Sequence, residues 1–110
     1  MSFEDFTEYQ KVAKTTAKPS AMDLTYLLGG LAVEGGEALD KYIKAIRDDE
    51  GYISNELKNE ILKEVGDVLW FAALIYEYFE VDFEFAPAQN LEKLLDRKAR
   101  GVIGGSGDNR

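Results

Sequence analysis

The sequence predicts an all-α fold: a compact helical bundle of about four helices around an antiparallel central hairpin, assembled as an oligomer. Three observations lead to it. Apolar residues recur at three- and four-residue intervals along most of the chain, the spacing that lines one face of a helix. Capping residues stand where the periodic stretches begin, and glycines stand where they end. The longest apolar run, Val68 to Tyr76, is about half the roughly 20 residues a membrane span needs, so it reads as a buried helix.

A chain of 110 residues can build one hydrophobic core of ordinary size, so a single domain over 1–110 is expected. The first helix covers about Phe3 to Lys14, with Ser2 and Asp5 as its capping pair. Residues 1–19 are thus an N-terminal helix and linker, broken at Thr15 to Pro19. Ser20 with Asp23 opens a second helix, whose stripe of Leu24, Leu27, Leu28, Leu31, Leu39, Tyr42, Ile43 and Ile46 ends near Arg47. Asp48-Asp49-Glu50-Gly51 is polar and ends in glycine, which fits a short turn between antiparallel helices. Ser54 caps the third helix, whose stripe from Leu57 to Phe79 widens to nearly the whole circumference after Val68. In so small a domain such a segment predicts contact with a second subunit, and hence a homodimer or homotetramer. Val81 to Phe85 alternates like a strand but has no strand to pair with, and is assigned to a loop. Pro87 suits the first turn of a fourth helix that runs to about Arg100 and stops at Gly101, before a flexible glycine-rich tail over 101–110.

Composition excludes several kinds of chemistry. With no cysteine and no histidine, the chain has no disulfide, no thiolate nucleophile, no zinc site with nitrogen or sulfur ligands and no imidazole acid-base group. Oxygen ligands remain, and these suit Mg²⁺, Mn²⁺ or Ca²⁺. A net charge of -8 argues against binding a nucleic-acid polymer, whose affinity rests on neutralising phosphates. The N-terminus lacks the basic start and apolar stretch of a secretory signal, so a cytoplasmic location and no membrane partner are expected. The end of the chain is locally basic, with Lys93, Arg97, Lys98, Arg100 and Arg110 against Glu92, Asp96 and Asp108.

Glu34 and Glu37 lie three apart on the second helix, and Glu64 and Asp67 three apart on the third, so each pair shares a helical face. In an antiparallel hairpin, facing residues lie equally far from the turn. Glu37 with Glu64, and Glu34 with Asp67, both have their midpoint between Glu50 and Gly51, inside the turn identified from composition. Four carboxylates held together repel one another and raise their own pKa values unless a cation intervenes. Facing helices are an established scaffold for such metal sites, and Mg²⁺ binds through a few carboxylates plus substrate phosphates. Gly35, Gly36 and Gly66 lie among the acids although each costs about 1 kcal/mol inside a helix, which predicts close approach of a helix or ligand there. A break at Gly29-Gly30, before the acids, would explain them as well.

With Gly30-Leu31-Ala32-Val33-Glu34-Gly35-Gly36-Glu37 and Glu64-Val65-Gly66-Asp67-Val68-Leu69-Trp70, the chain resembles the MazG-like all-α nucleoside triphosphate pyrophosphohydrolases. The mark of that family is E-x-x-E, a spacer, then E-x-x-D. Asn90-Leu91-Glu92-Lys93-Leu94 with Arg97 looks like its N-x-x-K-L block and following arginine, and the resemblance spans about residues 22–110. It implies Mg²⁺-dependent hydrolysis between the α and β phosphates, giving a nucleoside monophosphate and pyrophosphate in nucleotide-pool house-cleaning, with Mn²⁺ as a substitute metal. Glu34, Glu37, Glu64 and Asp67 would ligate the metal, and one of them would orient or deprotonate the attacking water. Lys93 and Arg97 would hold phosphate oxygens, Asn90 the sugar or a phosphate, and Arg110 would reach a neighbouring subunit's site. Two alternatives stand beside this: a phosphoribosyl-ATP pyrophosphohydrolase, and a nucleotide-binding helical module without turnover. The plainer reading of Lys93 and Arg97 is pairing with Glu92 or Asp96, and of Trp70, Tyr42 and Tyr76 it is core packing.

Overall fold

A computed structural model describes residues 5–108. It holds four α-helices, α1 (Phe6–Thr15), α2 (Leu24–Asp49), α3 (Asn55–Tyr78) and α4 (Phe85–Ala99), with a short 3₁₀ turn at Pro19–Ala21. No strand occurs among the described residues, and 81–84 is loop. The antiparallel α2–α3 hairpin is the main packing unit, α1 lies against α3, and α4 makes little contact with the other helices. That lateral position of α4 leaves a radius of gyration of 16.7 Å and extents of 44 × 43 × 29 Å.

Local chemistry sets the helix ends. Asp5 caps α1 by accepting a hydrogen bond from Glu8 N–H at 2.6 Å, so the helix starts at Phe6, a turn later than expected. The predicted partners Ser2 and Phe3 lie outside the described residues. At α2 the cap is Asp23 alone, accepting from Tyr26 N–H at 2.9 Å, because Pro19 starts a 3₁₀ turn that takes up Ser20. Ser54 Oγ accepts from Leu57 N–H at 3.0 Å and opens α3 as predicted. The hairpin reverses through Glu50 (φ 55°) and Gly51 (φ 79°), and Gly51 N–H closes on the Ala45 carbonyl at 3.0 Å. At the far end of α4, Gly101 adopts φ 74° and Val102 N–H reaches the Arg97 carbonyl at 2.9 Å, a left-handed stop of the kind glycine favours.

Leu27 of α2 and Phe71 and Leu74 of α3 form the core, with Ala17, Met22, Leu31, Trp70 and Ile75 packed around them. Trp70 is therefore partly core, and its indole N–H also donates to Thr16 Oγ1 at 2.9 Å, tying the linker to α3. Gln10, 3% exposed, binds the loop that follows α3: its amide donates to the Val81 carbonyl at 2.9 Å and its oxygen accepts from Phe83 N–H at 2.9 Å. Phe83 then packs edge-on to Phe6 and tilted on Tyr76, with ring centroids 5.4 and 5.3 Å apart.

The predicted break at Gly29-Gly30 does not occur; α2 runs through both. Gly30 is small because the Phe71 ring lies where its Cβ would stand. Gly30→Ala is therefore expected to destabilise the fold by about 1–3 kcal/mol through overpacking, against the ~1 kcal/mol that alanine gains in an open helix. Chemical denaturation measures it, and a variant as stable as the parent would show that Phe71 moves aside freely.

Candidate metal centre

The α2–α3 hairpin brings Glu34, Glu37 and Glu64 together, with a carboxylate oxygen from each within 4.8 Å of the others. Glu34 and Glu64 are half-buried at the helix–helix seam, and Glu37 is exposed at its edge. Asp67 stands outside this group and is exposed, although its charge still reaches Glu34.

Glu34 is the most constrained of the acids. Its Oε2 is shielded from water and has no hydrogen-bond partner. Its neighbour Glu64 is also an acceptor when ionised, so the two can bond only with a proton between them. Hydrogen bonding with Glu64, then burial, then the charges of Glu37, Glu64 and Asp67 push the Glu34 pKa up to about 7. Lys41 Nζ approaches Glu64 Oε1 at 3.8 Å, a partial internal counter-charge. Sequence reasoning missed Lys41, although its position four residues after Glu37 puts it on the same face one turn nearer the hairpin bend.

Clefts lie on both sides of the carboxylates along the hairpin. Toward the bend, a cleft of about 420 Å³ is lined by Lys41, Lys44, Tyr52 and Ser54 among others. Toward the core, one of about 350 Å³ is lined by Thr16, Lys18, Tyr26 and Trp70.

The basic block is not gathered to the acids. Lys93 and Arg97 lie on α4 and are engaged by the tail: Lys93 Nζ meets Asp108 Oδ1 at 3.0 Å, and Arg97 Nη2 donates to the Asp108 carbonyl at 2.6 Å and to Oδ1 at 3.3 Å. The two cations, Lys93 first, hold the Asp108 carboxyl below the usual range. Neither pairs with Glu92 or Asp96; Asp96 instead accepts from Arg100 at 2.8 Å. Asn90 is exposed on α4, and Arg110 lies outside the described residues.

What this arrangement can do chemically is limited by its donor set. Crowded carboxylates, one with a buried oxygen lacking a donor, fit a hard cation with oxygen ligands. Glu34, Glu37 and Glu64 would hold it, with Asp67 adjoining. No helix among the described residues is long and apolar enough to cross a membrane.

No protein-family model matches the chain, and no solved structure matches it significantly. It is similar to the Gene 37 protein of Mycobacterium phage L5, with 41% identity over 109 residues, covering 93% of this chain and 96% of that protein. Identity of that extent over nearly the full length of both places the chain in the family of the phage L5 Gene 37 protein.

Proposed function

We propose that the chain is a Mg²⁺-dependent nucleoside triphosphate pyrophosphohydrolase of nucleotide-pool house-cleaning, acting in the cytoplasm as a homodimer or homotetramer. The observation that carries this reading is the buried Glu34 oxygen without a donor, set beside Glu37 and Glu64 on the hairpin with the charge of Asp67 in reach. A fold spends stability to keep such groups together, and a metal-and-phosphate ligand is what relieves them. The E-x-x-E and E-x-x-D spacing and the Gly-Asp-Val-Leu-Trp run point to the same chemistry.

Bound there, Mg²⁺ would neutralise phosphate charge and acidify a water. The chain's own residues have separate tasks. Glu34, Glu37 and Glu64 would hold the metal, and one of these carboxylates would orient or deprotonate the attacking water. Glu64 receives part of its orientation from Lys41, which stands at the mouth of the cleft toward the bend and can meet a leaving pyrophosphate. Lys93, Arg97, Asn90 and Arg110 are the phosphate and sugar contacts in this reading, and α4 has to come to the carboxylates of its own hairpin or a partner's to serve.

Oligomerisation is supported by apolar stripes turned to solvent. Leu28, Leu39, Ile43 and Ile46 of α2, and Leu62, Val65 and Leu69 of α3, are all at least 38% exposed on faces turned away from the hairpin seam. Exposed apolar side chains in this number on two helices favour an interaction site. Gly35 and Gly66 lie on these faces, and a Cβ at either would meet nothing within one chain. Light scattering at micromolar concentration is expected to give a dimer or tetramer. Gly66→Ala, worth about 1 kcal/mol of helix propensity in isolation, is expected to weaken that oligomer. A monodisperse monomer, or a variant that simply gains stability, would count against it.

The deciding assay is pyrophosphate release from canonical, modified and alarmone nucleotides, with phosphoribosyl-ATP beside them, with and without Mg²⁺ or Mn²⁺. Metal-dependent release from a nucleoside triphosphate is expected. Release from phosphoribosyl-ATP alone would move the chain to that relative's activity. A nucleotide that raises the melting temperature only with Mg²⁺ but is recovered intact would make it a binding module.

A further inference from the structure

Arg97 is 3% exposed, yet the acceptor it meets, Asp108, has a side chain that is 79% exposed. A buried guanidinium is costly unless paired, and here the pairing is incomplete. Nη2 serves both the carbonyl and the carboxylate of Asp108, while Nε is shielded from water and has no partner. Lys93, one turn earlier on the same face, completes a two-cation seat with a single surface carboxylate in it. The tail reaches that seat by left-handed bends at Gly101, Gly105 and Gly107 (φ 74°, 93° and 83°), which side chains rarely adopt.

We propose that Asp108 is a built-in occupant of an anion seat formed by Lys93 and Arg97, so that the glycine-rich tail is a strap which a phosphate or pyrophosphate group must displace. Arg97 is built in and Asp108 lies at the surface, so the carboxylate is the part that can leave. A tetrahedral phosphoryl group offers three oxygens, enough for Nη2, the idle Nε and the Lys93 ammonium at once, which one carboxylate oxygen does not satisfy. The seat's ligand class rests on the phosphate-handling role proposed above; the competition by Asp108 is a separate claim with its own readout.

Competition lowers apparent affinity by the fraction of time the seat is open. Inorganic pyrophosphate is titrated into the full chain in EDTA at fixed ionic strength, by calorimetry or NMR, so that neither a divalent metal nor turnover contributes. Asp108→Asn and Asp108→Ala lie outside every helix and are expected to tighten pyrophosphate binding about three- to tenfold, threefold meaning a seat open roughly a third of the time. Lys93→Ala is expected to weaken it, with helicity unchanged by circular dichroism in all three. The strap is overturned if both Asp108 variants bind no tighter than the parent, if Lys93→Ala binds as the parent does, or if no form binds. Metal-dependent pyrophosphate release is a different measurement, so a chain that hydrolyses nucleotides with an inert Asp108 would lose this inference and keep the proposed function.

Discussion

Glu64→Gln is expected to abolish Mg²⁺-dependent pyrophosphate release while making the metal-free chain more stable, and that opposition of signs is what a functional carboxylate predicts. Glu64 is the meeting point of the site: it lies against Glu34 and raises that residue's pKa, takes a partial ion pair from Lys41 and offers an oxygen within 4.8 Å of those of Glu34 and Glu37. Glutamine keeps its shape but removes a charge from the cluster, and its amide can donate to the shielded Glu34 oxygen. Satisfying a buried acceptor is worth about 1–3 kcal/mol. The same change removes a metal ligand. Loss of residues that merely support metal ligands costs 10–100-fold in other proteins, so removal of a ligand itself should cost more than about 100-fold in turnover. Glu37→Gln should abolish turnover too, with helicity intact, but with a smaller gain in stability because Glu37 is exposed. Thermal melting in EDTA beside the pyrophosphate assay reads both effects. Unchanged turnover in both variants would remove the hydrolase reading.

The hairpin was legible because its signals are local and redundant. Ser54 and Asp23 are good caps, the 3-and-4 stripes are long, and the acidic turn ends in a glycine at positive φ. From these, the level meeting of Glu37 and Glu64 followed by counting outward from the bend. Counting does not give azimuth, so Asp67, at the right height, stands off the seam. Gly30 shows the same limit from another side: the residue type suggested a break, whereas its reason is the Phe71 ring across the seam, a contact 41 positions away in sequence. Gln10 gave no sequence signal at all. A glutamine on a predicted α1 reads as solvated, and its value comes from two backbone groups of the 81–83 loop that only the fold places beside it. The tail is the extreme case, since glycine permits many paths and the one that returns Asp108 to Lys93 and Arg97 is set by three left-handed bends no spacing rule encodes.

In the absence of divalent ions the melting temperature is expected to fall as pH rises from about 5 to 8, and millimolar Mg²⁺ is expected to flatten that slope. The sign follows from Glu34. Its pKa is raised from the ordinary 4.5 to about 7, so between those values the folded chain holds a proton that the unfolded chain has released. Stability falls with pH wherever the folded state binds more protons. The stabilising shared proton is fully present below pH 4.5 and is lost as pH passes 7. The window is unusually clean, because the chain has no histidine to titrate within it. A bound cation supplies the counter-charge that the proton supplied, so it should matter most at the alkaline end and displace about half a proton at pH 7, rising toward one below pH 6, measurable by calorimetry in buffers of different ionisation enthalpy. Glu34→Gln is neutral at every pH, so its melting temperature should be flat across the window and indifferent to Mg²⁺. A parent chain whose melting temperature rises from pH 5 to 8 in EDTA would mean that the Glu34–Glu64 pair is open to water and is no longer held by the hairpin, and the case for a shared cation site would go with it.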